Sequence, residues 1–532
     1  MTSSSPPRRI HLNQDDAHFY RCHPLSDMTV AGLERLVDYY AQGSQLAGIA
    51  FCTNMQRALF DSDVWERMTD GYDFTKPDPQ PGFPVGREAR GLVELRKNGI
   101  DQFSVWLNRT RHHGLEAWLS MRMNDCHGLE GHGDWWAKDR VKASDQDHYH
   151  RHASEYWKAN PHLRRAPWRF ECSFESAFDY SHEEVRRHHL ALILELFERY
   201  DMDGLELDWM RWGLMFAPGK EAQGRELLTG FIDQVNEARH RAEIRRGHRI
   251  ALRHRVPPEP QTCHALGYDV PAWVERGAAD EIILSSFGAC ANFDVPIPLW
   301  RRLVGPKTKL LALVQSTAFA YPGSQKTVNQ HVMYGAASSA LQRDADGVYL
   351  FNECYSESSY PKHLQTILNH IGSHDTLATL VRRHPVTYTH THAPGETCRT
   401  QLPIPLQNNR RSFGRLAENI TLRIFVGKKP AAARYILILG FAADAPAEAW
   451  AGMEVRINSQ VAVTTTAPVY EDGTPPVSSW RTTLPEAARH VRYYETEAVL
   501  DDVNVVEFVP PPSTQGTLEW AEIQVIPTTR TS

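Results

Sequence analysis

Eight short apolar segments are spaced along the first two-thirds of the chain, separated by stretches with helical periodicity. This alternation predicts a parallel sheet joined by crossover helices. Eight such units fit a closed (β/α)8 TIM barrel, whereas an open doubly wound sheet usually carries a glycine-rich phosphate turn, which this chain lacks. The predicted strands are Arg9–Asn13, Ala47–Asn54, Leu115–Met121, Gly204–Trp209, Arg249–Val256, Glu281–Phe287, Lys309–Gln315 and Gly347–Asn352.

The stretches between these strands place apolar side chains at helical spacing. In the clearest of them, which runs from Ser181 to Tyr200, Ser181 and Glu184 have the spacing of a capping box. Ser181 is therefore expected to cap that helix. The other predicted helices are Thr29–Ala41, Arg87–His113, Arg225–Arg245, Val270–Gly277 and Lys326–Asp344.

Two longer regions depart from this alternation. Residues 126–178, rich in His, Trp and Asp, form a long insertion that is expected to overhang the carboxyl-terminal mouth of the barrel. Near Pro385 helical periodicity gives way to short β-like segments with Gly, Pro, Asn and Asp between them, which is typical of an antiparallel β-sandwich of about seven or eight strands. The sequence therefore predicts a barrel at 1–380 and a β-sandwich at 381–532.

Composition excludes several kinds of partner. The formal net charge is −6, whereas a nucleic-acid-binding protein generally presents a basic face. No apolar run reaches the ~18 residues of a membrane-spanning helix, and no secretory signal is recognisable. The eight cysteines are scattered without a C-x-x-C pair, which is typical of reduced thiols. We expect a cytoplasmic protein without nucleic-acid or membrane partners, and the oligomeric state stays open.

The fourth predicted strand is the most informative for function, because active residues of such barrels stand at the carboxyl ends of strands. Side chains alternate along a strand, so Glu206 and Asp208 both face the barrel axis if Leu205 and Leu207 face the helices. Inward acids are unfavourable unless they are paired or used. Asp208, nearer the mouth, is the first candidate catalytic acid. Glu206 lies deeper in the barrel. The alternative to a catalytic role for Glu206 is an ion pair with an arginine that only stabilises the barrel.

Other strand ends supply further candidates. Asp125 and Glu353 are the remaining candidate acids, and along the fifth strand either the two arginines or His254 face inward. Guanidinium groups clamp carboxylates, and indole faces stack on sugar rings. The side chains expected to bind substrate are Arg122, Asn124, His127, Trp135, Trp136, Trp209, Arg211, Trp212, Arg253, Arg255 and Asn352.

Motifs for a cofactor or a catalytic metal do not occur in the sequence. A metal-dependent barrel hydrolase would have an H-x-H pair at the end of the first strand, where this chain has Asn13, Gln14 and Asp15. Zinc-protease, serine-hydrolase and phosphate-loop motifs are also missing. The sequence therefore predicts no cofactor and no metal.

Several segments resemble a group of glycoside hydrolases called glycosyl hydrolase-like 10. The resemblance covers roughly residues 8–375 and implies a TIM barrel that acts on glycosidic bonds, and a C-terminal β-sandwich is usual in such proteins. The similar segments are residues 177–186 (AFDYSHEEVR), residues 199–208 (RYDMDGLELD), the strand exit at 122–125 (RMND), residues 255–257 (RVP) and residues 346–352 (DGVYLFN).

The fourth strand is also similar to the D-G-x-D-x-D-x-E motif of chitinase-type family 18 hydrolases. Asp203, Gly204 and Asp208 match that motif, Glu206 replaces an aspartate, and Met210 stands where the family has its proton donor. The predicted seventh strand also ends without a carboxylate. Neither the chitinase mechanism nor a pair of acids on strands four and seven is therefore expected.

These features favour a glycoside hydrolase that cleaves an oligo- or polysaccharide with two carboxyl groups, about 5–5.5 Å apart for retention or about 6.5–9.5 Å apart for inversion. Asp208 would be one of them, and Asp125, Glu206 or Glu353, in that order, the other. Two alternatives stay open. One is an inactive barrel that binds carbohydrate. The other is a lyase or isomerase that acts on an acidic sugar with His127 or His254 as the base.

Overall fold

The computed structural model describes most of the chain. The described residues are 8–15, 18–78, 80, 87–127, 153–166, 175–287, 290–324, 327–328, 330–352, 364–405, 420–442, 452–468, 490–509 and 516–528.

Eight parallel strands close into a barrel, which confirms the predicted (β/α)8 fold. Each of these eight barrel strands overlaps a predicted strand. The strands of this part of the chain are β1 (Ile10–Gln14), β2 (Leu46–Cys52), β3 (Glu116–Arg122), β4 (Gly204–Asp208), β5 (Ala251–Val256), β6 (Glu281–Leu284), β7 (Lys309–Val314), β8 (Thr317–Ala318), β9 (Thr327–Val328) and β10 (Gly347–Phe351). Around the barrel the order is β1-β10-β7-β6-β5-β4-β3-β2, and β8 and β9 form a separate hairpin.

Helices follow or precede the strands and cover the outside of the barrel. They are α1 (His18–Cys22), α2 (Val30–Ala41), α3 (Arg87–Lys97), α4 (Gln102–His112), α5 (Glu155–Ala159), α6 (Glu183–Arg199), α7 (Glu221–Arg246), α8 (Pro260–Ala265), α9 (Val270–Glu275), α10 (Ile297–Val304), α11 (Gln330–Gln342), α12 (Leu364–His370) and α13 (His374–Leu377). None of the described helices combines the length and apolar character that crossing a membrane requires.

Two of the helix predictions are wrong in detail. Ser181 does not cap α6: the N-cap residue is His182, without a side-chain bond, and the Ser181 backbone N–H instead donates to Asp179 Oδ1 at 2.8 Å. The single helix predicted over Arg87–His113 is two helices. Gly99, at φ +65°, ends the first, and Asp101 caps the second because its side chain accepts from the backbone N–H groups of Phe103 and Ser104.

The alternation predicted for the fourth strand is present in β4. Leu205 and Leu207 are fully buried in the large core between barrel and helices, so Glu206 and Asp208 face the barrel axis. Gly204 leaves room for the indole of Trp118 in the barrel interior, because a Cβ at this glycine would lie 2.2 Å from that ring. The glycine thus allows a large aromatic side chain to fill the barrel below the two acids.

Antiparallel sheets form the remainder of the described chain, as the sequence predicts. Their strands are β11 (Arg382–Pro385), β12 (Ile404–Pro405), β13 (Ile420–Val426), β14 (Ala433–Phe441), β15 (Glu454–Ile457), β16 (Gln460–Val461), β17 (Val463–Thr465), β18 (His490–Glu495), β19 (Asp502–Val509) and β20 (Thr517–Pro527). One sheet contains the strands in the order β11-β20-β14-β18-β17 with β12 beside β20, and the other has the order β13-β19-β15-β16. The division of the chain at residue 380 stays a prediction, although β11 begins close to it.

The chain that follows β11 stays close to the barrel. The Oγ1 of Thr387 accepts a hydrogen bond from the Phe293 backbone at 2.9 Å, and the Oγ1 of Thr391 accepts one from the Phe287 backbone at 3.1 Å. Phe287 lies just beyond the carboxyl end of β6. Residues from beyond the barrel strands therefore reach the mouth of the barrel.

Candidate active site

Two polar layers cross the barrel because the strand register aligns their residues. Glu206 lies level with Ser120 on one side and Arg253 on the other, and two residues further along Asp208 lies level with Arg122 and Arg255. The fifth-strand alternation is thereby settled: the two arginines face inward. We call the level of Glu206 the inner layer and the level of Asp208 the mouth layer.

Glu206 in the inner layer is completely buried. Its Oε1 accepts hydrogen bonds from Asn13 at 3.0 Å and from the hydroxyls of Ser120 and Tyr349, both at 2.7 Å. Burial raises the pKa of Glu206, and Arg253, whose Nη1 lies 3.5 Å from Oε2, opposes this only in part. The contacts of Glu206 are therefore with residues of the barrel wall. They agree with the alternative to a catalytic role, in which Glu206 only stabilises the barrel through an ion pair.

Arg253 joins Glu206 to a second buried acid, Glu281. The Nε and Nη2 of Arg253 lie 2.7 and 2.6 Å from Glu281 Oε2, and Lys309 lies 2.8 Å from Oε1. The Arg253 guanidinium also stacks 3.8 Å from the Trp118 ring centroid. Burial opposes the ionisation of Glu281, but Arg253, His11 and Lys309 together outweigh it and lower the pKa of Glu281 to about 2. Arg253 is thus part of the barrel interior. It does not extend to the mouth, where it was expected to bind substrate.

The lowered pKa of Glu281 predicts how stability depends on pH. Its ionised form stabilises the fold fully above the ordinary value of 4.5, and this stabilisation is lost as the pH falls from there to about 2. Glu281→Gln removes the titrating group, so the stability of the variant should change less over that interval. Urea unfolding at a series of pH values measures this. The exposed Glu275→Gln is the matched control, and parallel curves for Glu281→Gln and wild type would contradict the expectation.

Asp208 in the mouth layer is 1% exposed and faces the axis. Its Oδ1 accepts the Met210 backbone N–H at 2.9 Å, and its Oδ2 accepts from Arg255 Nη1 at 2.9 Å. Arg255 is held in turn by the Ser285 hydroxyl at 2.9 Å and lies 3.7 Å from the centroid of the Phe351 ring. Both carboxylate oxygens of Asp208 therefore act as acceptors in a fixed geometry.

Arg122 brings two further acids to the same layer. Its Nη1 donates to Asp125 Oδ2 at 2.9 Å, and its Nη2 donates to Asp15. Asp15 follows directly on β1, and its side chain is 23% exposed. Asp15 was not among the predicted site residues and stood out in the sequence only because it is not a histidine. Its position one residue beyond the end of a barrel strand was the signal that it belongs to the mouth.

Asp125 is linked through His127 to Arg211. Asp125 Oδ1 lies 2.9 Å from His127 Nδ1, and His127 Nε2 lies 3.1 Å from Arg211 Nη2. Since arginine can only donate, His127 accepts at Nε2 and carries its proton on Nδ1. Burial lowers the pKa of His127, which agrees with a neutral ring. Burial opposes the ionisation of Asp125, but His127, Arg122 and Arg211 outweigh it and lower its pKa.

Backbone strain occurs at two strand ends that border the mouth layer. Trp212, four residues after β4, has φ +61°, and Asn352, directly after β10, has φ +60°. The left-handed region is unfavourable for a bulky side chain such as that of Trp212 and persists only where the surroundings impose it. Trp212 is 7% exposed and lies edge-on to His127, with ring centroids 4.6 Å apart, whereas Asn352 is exposed.

A cavity with a volume of about 380 Å³ adjoins this layer. Met210 and Leu214 from the chain after β4 line it, as does Phe287 from the chain after β6. His390 and His392, from the segment that follows β11, line its other side. The cavity is large enough for part of a glycan. Met210, whose backbone N–H donates to Asp208, lines it, whereas none of the acids described for the mouth layer does.

Three predicted or considered site residues do not reach the mouth. Trp209 is buried outside the barrel, where its ring packs against Trp273 and its Nε1 donates to His254 Nδ1 at 3.2 Å. His254 is buried there as well, and burial lowers its pKa to about 4. Asn124 is used to hold the insertion, because its amide bonds the Phe178 backbone in both directions at 2.9 Å.

Three other predicted residues lie outside the described residues: Trp135, Trp136 and Glu353. Within the described ranges, no three His, Cys, Asp or Glu side chains are grouped so that they could hold a metal ion. The candidate residues that the structure brings together are Arg122, Asp125, His127, Asp208, Arg211, Trp212 and Arg255, with Asp15 in addition.

The fold and this cluster define a (β/α)8 barrel with ion-paired carboxylate and guanidinium groups at its mouth. No protein-family model and no curated protein matches the chain, so the resemblance to glycosyl hydrolase-like 10 proteins stays a hypothesis.

Several solved structures are similar at low identity. Alpha-L-fucosidase isoenzyme 2 from Paenibacillus thiaminolyticus is 11% identical with a TM-score of 0.40, over 68% of this chain and 48% of that one. An alpha-galactosidase from Thermus thermophilus is 16% identical with a TM-score of 0.35, over 71% and 63%. The PgaB glycoside hydrolase domain from Bordetella bronchiseptica is 11% identical with a TM-score of 0.38, over 69% and 99%. This chain thus spans less than two thirds of the fucosidase and of the galactosidase.

Proposed function

We propose that this chain is a glycoside hydrolase that cleaves an oligo- or polysaccharide at the barrel mouth, with Asp208 as one catalytic carboxyl group. The observation that carries the proposal is the convergence of Asp15, Asp125 and Asp208 at the carboxyl end of a parallel barrel, where Met210 and Phe287 line a cavity of about 380 Å³. Glycosidic hydrolysis requires two carboxyl groups beside a space that accepts a sugar. The resemblance of residues 199–208 and 346–352 to glycoside hydrolases supports the same function.

The contacts of each acid suggest its role. Asp208 accepts N–H bonds at both oxygens, which suits the ionised partner, the nucleophile or general base. Asp125 has a lowered pKa and would therefore not supply the proton to the leaving group. Among the three candidate partners, Glu206 has the raised pKa that a proton donor needs, although it is completely buried. Glu353 is the other candidate donor.

A panel of glycans tests the proposal. Wild-type protein is incubated with neutral and acidic oligo- and polysaccharides, and new reducing ends, absorbance of unsaturated products and binding are followed in parallel. We expect reducing ends without unsaturation. Unsaturated products would instead show a lyase, which eliminates the leaving group. The variant Asp233→Asn serves as a control for effects of protein preparation. It changes a partly exposed ion pair with Arg276 on the outer helices and should retain full activity.

A second candidate function is carbohydrate binding without turnover. Two observations favour it: Asp208 and Asp125 are both held in buried ion pairs with arginines, and Met210 lines the cavity where a family 18 hydrolase would have an acid. Binding in the panel without any product, at protein concentrations near that of the glycan, would establish this function in place of hydrolysis.

A further inference from the structure

Arg211 differs from the other two arginines of the mouth layer in its charge partners. Arg122 pairs with Asp15 and Asp125, and Arg255 pairs with Asp208. Among the described residues, Arg211 Nη2 contacts the neutral His127 at 3.1 Å, and the buried Nε has no hydrogen-bond acceptor. Arg211 is therefore a cation at the mouth with no carboxylate bound to it in the described part of the chain.

The surroundings of Arg211 are aromatic. Its guanidinium carbon lies 5.1 Å from the ring centroid of Trp212, 5.4 Å from that of Phe351 and 6.0 Å from that of Phe287. Burial, together with the neighbouring Arg122, lowers the pKa of Arg211. A desolvated guanidinium without a carboxylate is unfavourable, and a bound anion would recover that free energy.

Trp212 supplies a second donor at the same place. Its Nε1 is buried and, within the described residues, donates to no acceptor. Its ring contacts Phe287, with centroids 5.8 Å apart, and Phe287 also lines the cavity. The backbone of Trp212, at φ +61°, is in a strained conformation that persists only where the surrounding structure imposes it. Two adjacent residues thus present N–H groups that a ligand rich in acceptors can satisfy.

His127 positions this pair. The Nδ1–H of His127 donates a hydrogen bond to Asp125, and the unprotonated Nε2 accepts one from Arg211 Nη2. A protonated His127 would have no lone pair for this contact and would repel the guanidinium. The chain from Asp125 through His127 therefore orients Arg211 without neutralising it.

We propose that Arg211 and Trp212 form a subsite for an anionic substituent, a carboxylate or a sulfate, on a sugar unit of the substrate. The proposal rests on the proposed function and narrows its substrate class to acidic glycans. Guanidinium binds carboxylate and sulfate oxygens in a forked geometry, and the indole N–H adds a neutral donor. With a neutral sugar, Arg211 would have no directly bound carboxylate, although Asp125 and other nearby carboxylates act on its charge from a distance.

The test compares matched probes by isothermal titration calorimetry. They are oligogalacturonides with their carboxyl-reduced counterparts, and chondroitin sulfate oligosaccharides with their desulfated counterparts. Wild type should bind at least one acidic probe about 10–100-fold more tightly than its neutral counterpart. Arg211→Met should remove that preference, Arg211→Lys should retain part of it, and Trp212→Phe, which removes only the N–H, should weaken it. The reduced and desulfated arms identify which anion is recognised.

The outcomes separate this proposal from the proposed hydrolysis. Equal binding of acidic and neutral probes by wild type, or an unchanged preference in Arg211→Met, would overturn the subsite even if neutral glycans are cleaved. A preference that depends on Arg211 in a protein that cleaves nothing would uphold the subsite and refute hydrolysis. If Arg211→Met lowers the melting temperature, Arg211→Lys and Trp212→Phe decide: a preference that neither substitution changes would also overturn the subsite.

Discussion

Asp208→Asn is expected to lower the turnover of a cleaved glycan by about 10²–10⁴-fold. The amide keeps the shape of the side chain and can still accept from the Met210 backbone, but it turns an N–H group towards Arg255, which donates to Asp208 Oδ2 in the wild type. It also has no charge with which to act as nucleophile or base. Initial rates with a panel substrate, measured beside Asp233→Asn, give the effect.

A stability measurement keeps this result interpretable. Arg255 retains the Ser285 hydroxyl and the Phe351 ring, so the loss of its carboxylate should cost about 1–3 kcal/mol and leave Asp208→Asn folded. A near wild-type rate would exclude Asp208 as a catalytic group, and failure to fold would show that it is structural. Rescue of Asp208→Gly by azide, with an activated aryl glycoside, would identify a nucleophile or base and report the stereochemistry through the glycosyl azide formed.

Arg253→Met is expected to lower the free energy of unfolding by about 3–5 kcal/mol. The substitution leaves Glu206 without its guanidinium and Glu281 with Lys309 alone, although the side chains of both acids are almost completely buried. Loss of the stacking on Trp118 adds to the effect. Urea unfolding curves of variant and wild type, analysed for the midpoint at constant slope, measure the difference.

Glu206→Gln is the matched variant for this experiment. It keeps a carbonyl oxygen for Asn13, Ser120 and Tyr349, and Arg253 keeps Glu281, so a smaller loss of stability than in Arg253→Met is expected. If Glu206→Gln is stable but inactive, Glu206 is the partner of Asp208. Wild-type stability of Arg253→Met would mean that the inner layer does not hold the barrel together.

Much of the barrel can be predicted from the sequence because strand burial has a period of two. The positions of Leu205 and Leu207 on the helix side determine that Glu206 and Asp208 face inward. The same alternation places Trp209 on the outer side of the barrel. Because β5 pairs in parallel with β4, Arg255 lies level with Asp208, and His254 faces outward. The expectation that Trp209 stacks on sugar therefore conflicted with the pattern that located the acids correctly.

The rest of the site depends on contacts between distant parts of the chain. Asp15 lies more than one hundred residues from Arg122 in sequence, and Thr391 lies about as far from Phe287. No local pattern records such pairs, since they arise only when the barrel closes and the later sheets pack beside it. The break between α3 and α4 could have been predicted from the sequence, because it depends on local signals. Gly99 ends one helix and Asp101 caps the next.

The cavity lined by Met210 is built from two parts of the chain that are remote in sequence. His390 and His392, which follow the first strand of the later sheets, stand opposite residues that follow β4. A chimaera in which this barrel carries the C-terminal sheets of another protein would exchange one wall of that space along with the sheets. Variation in the C-terminal region can therefore alter which molecules fit the cavity, even where every barrel strand is identical.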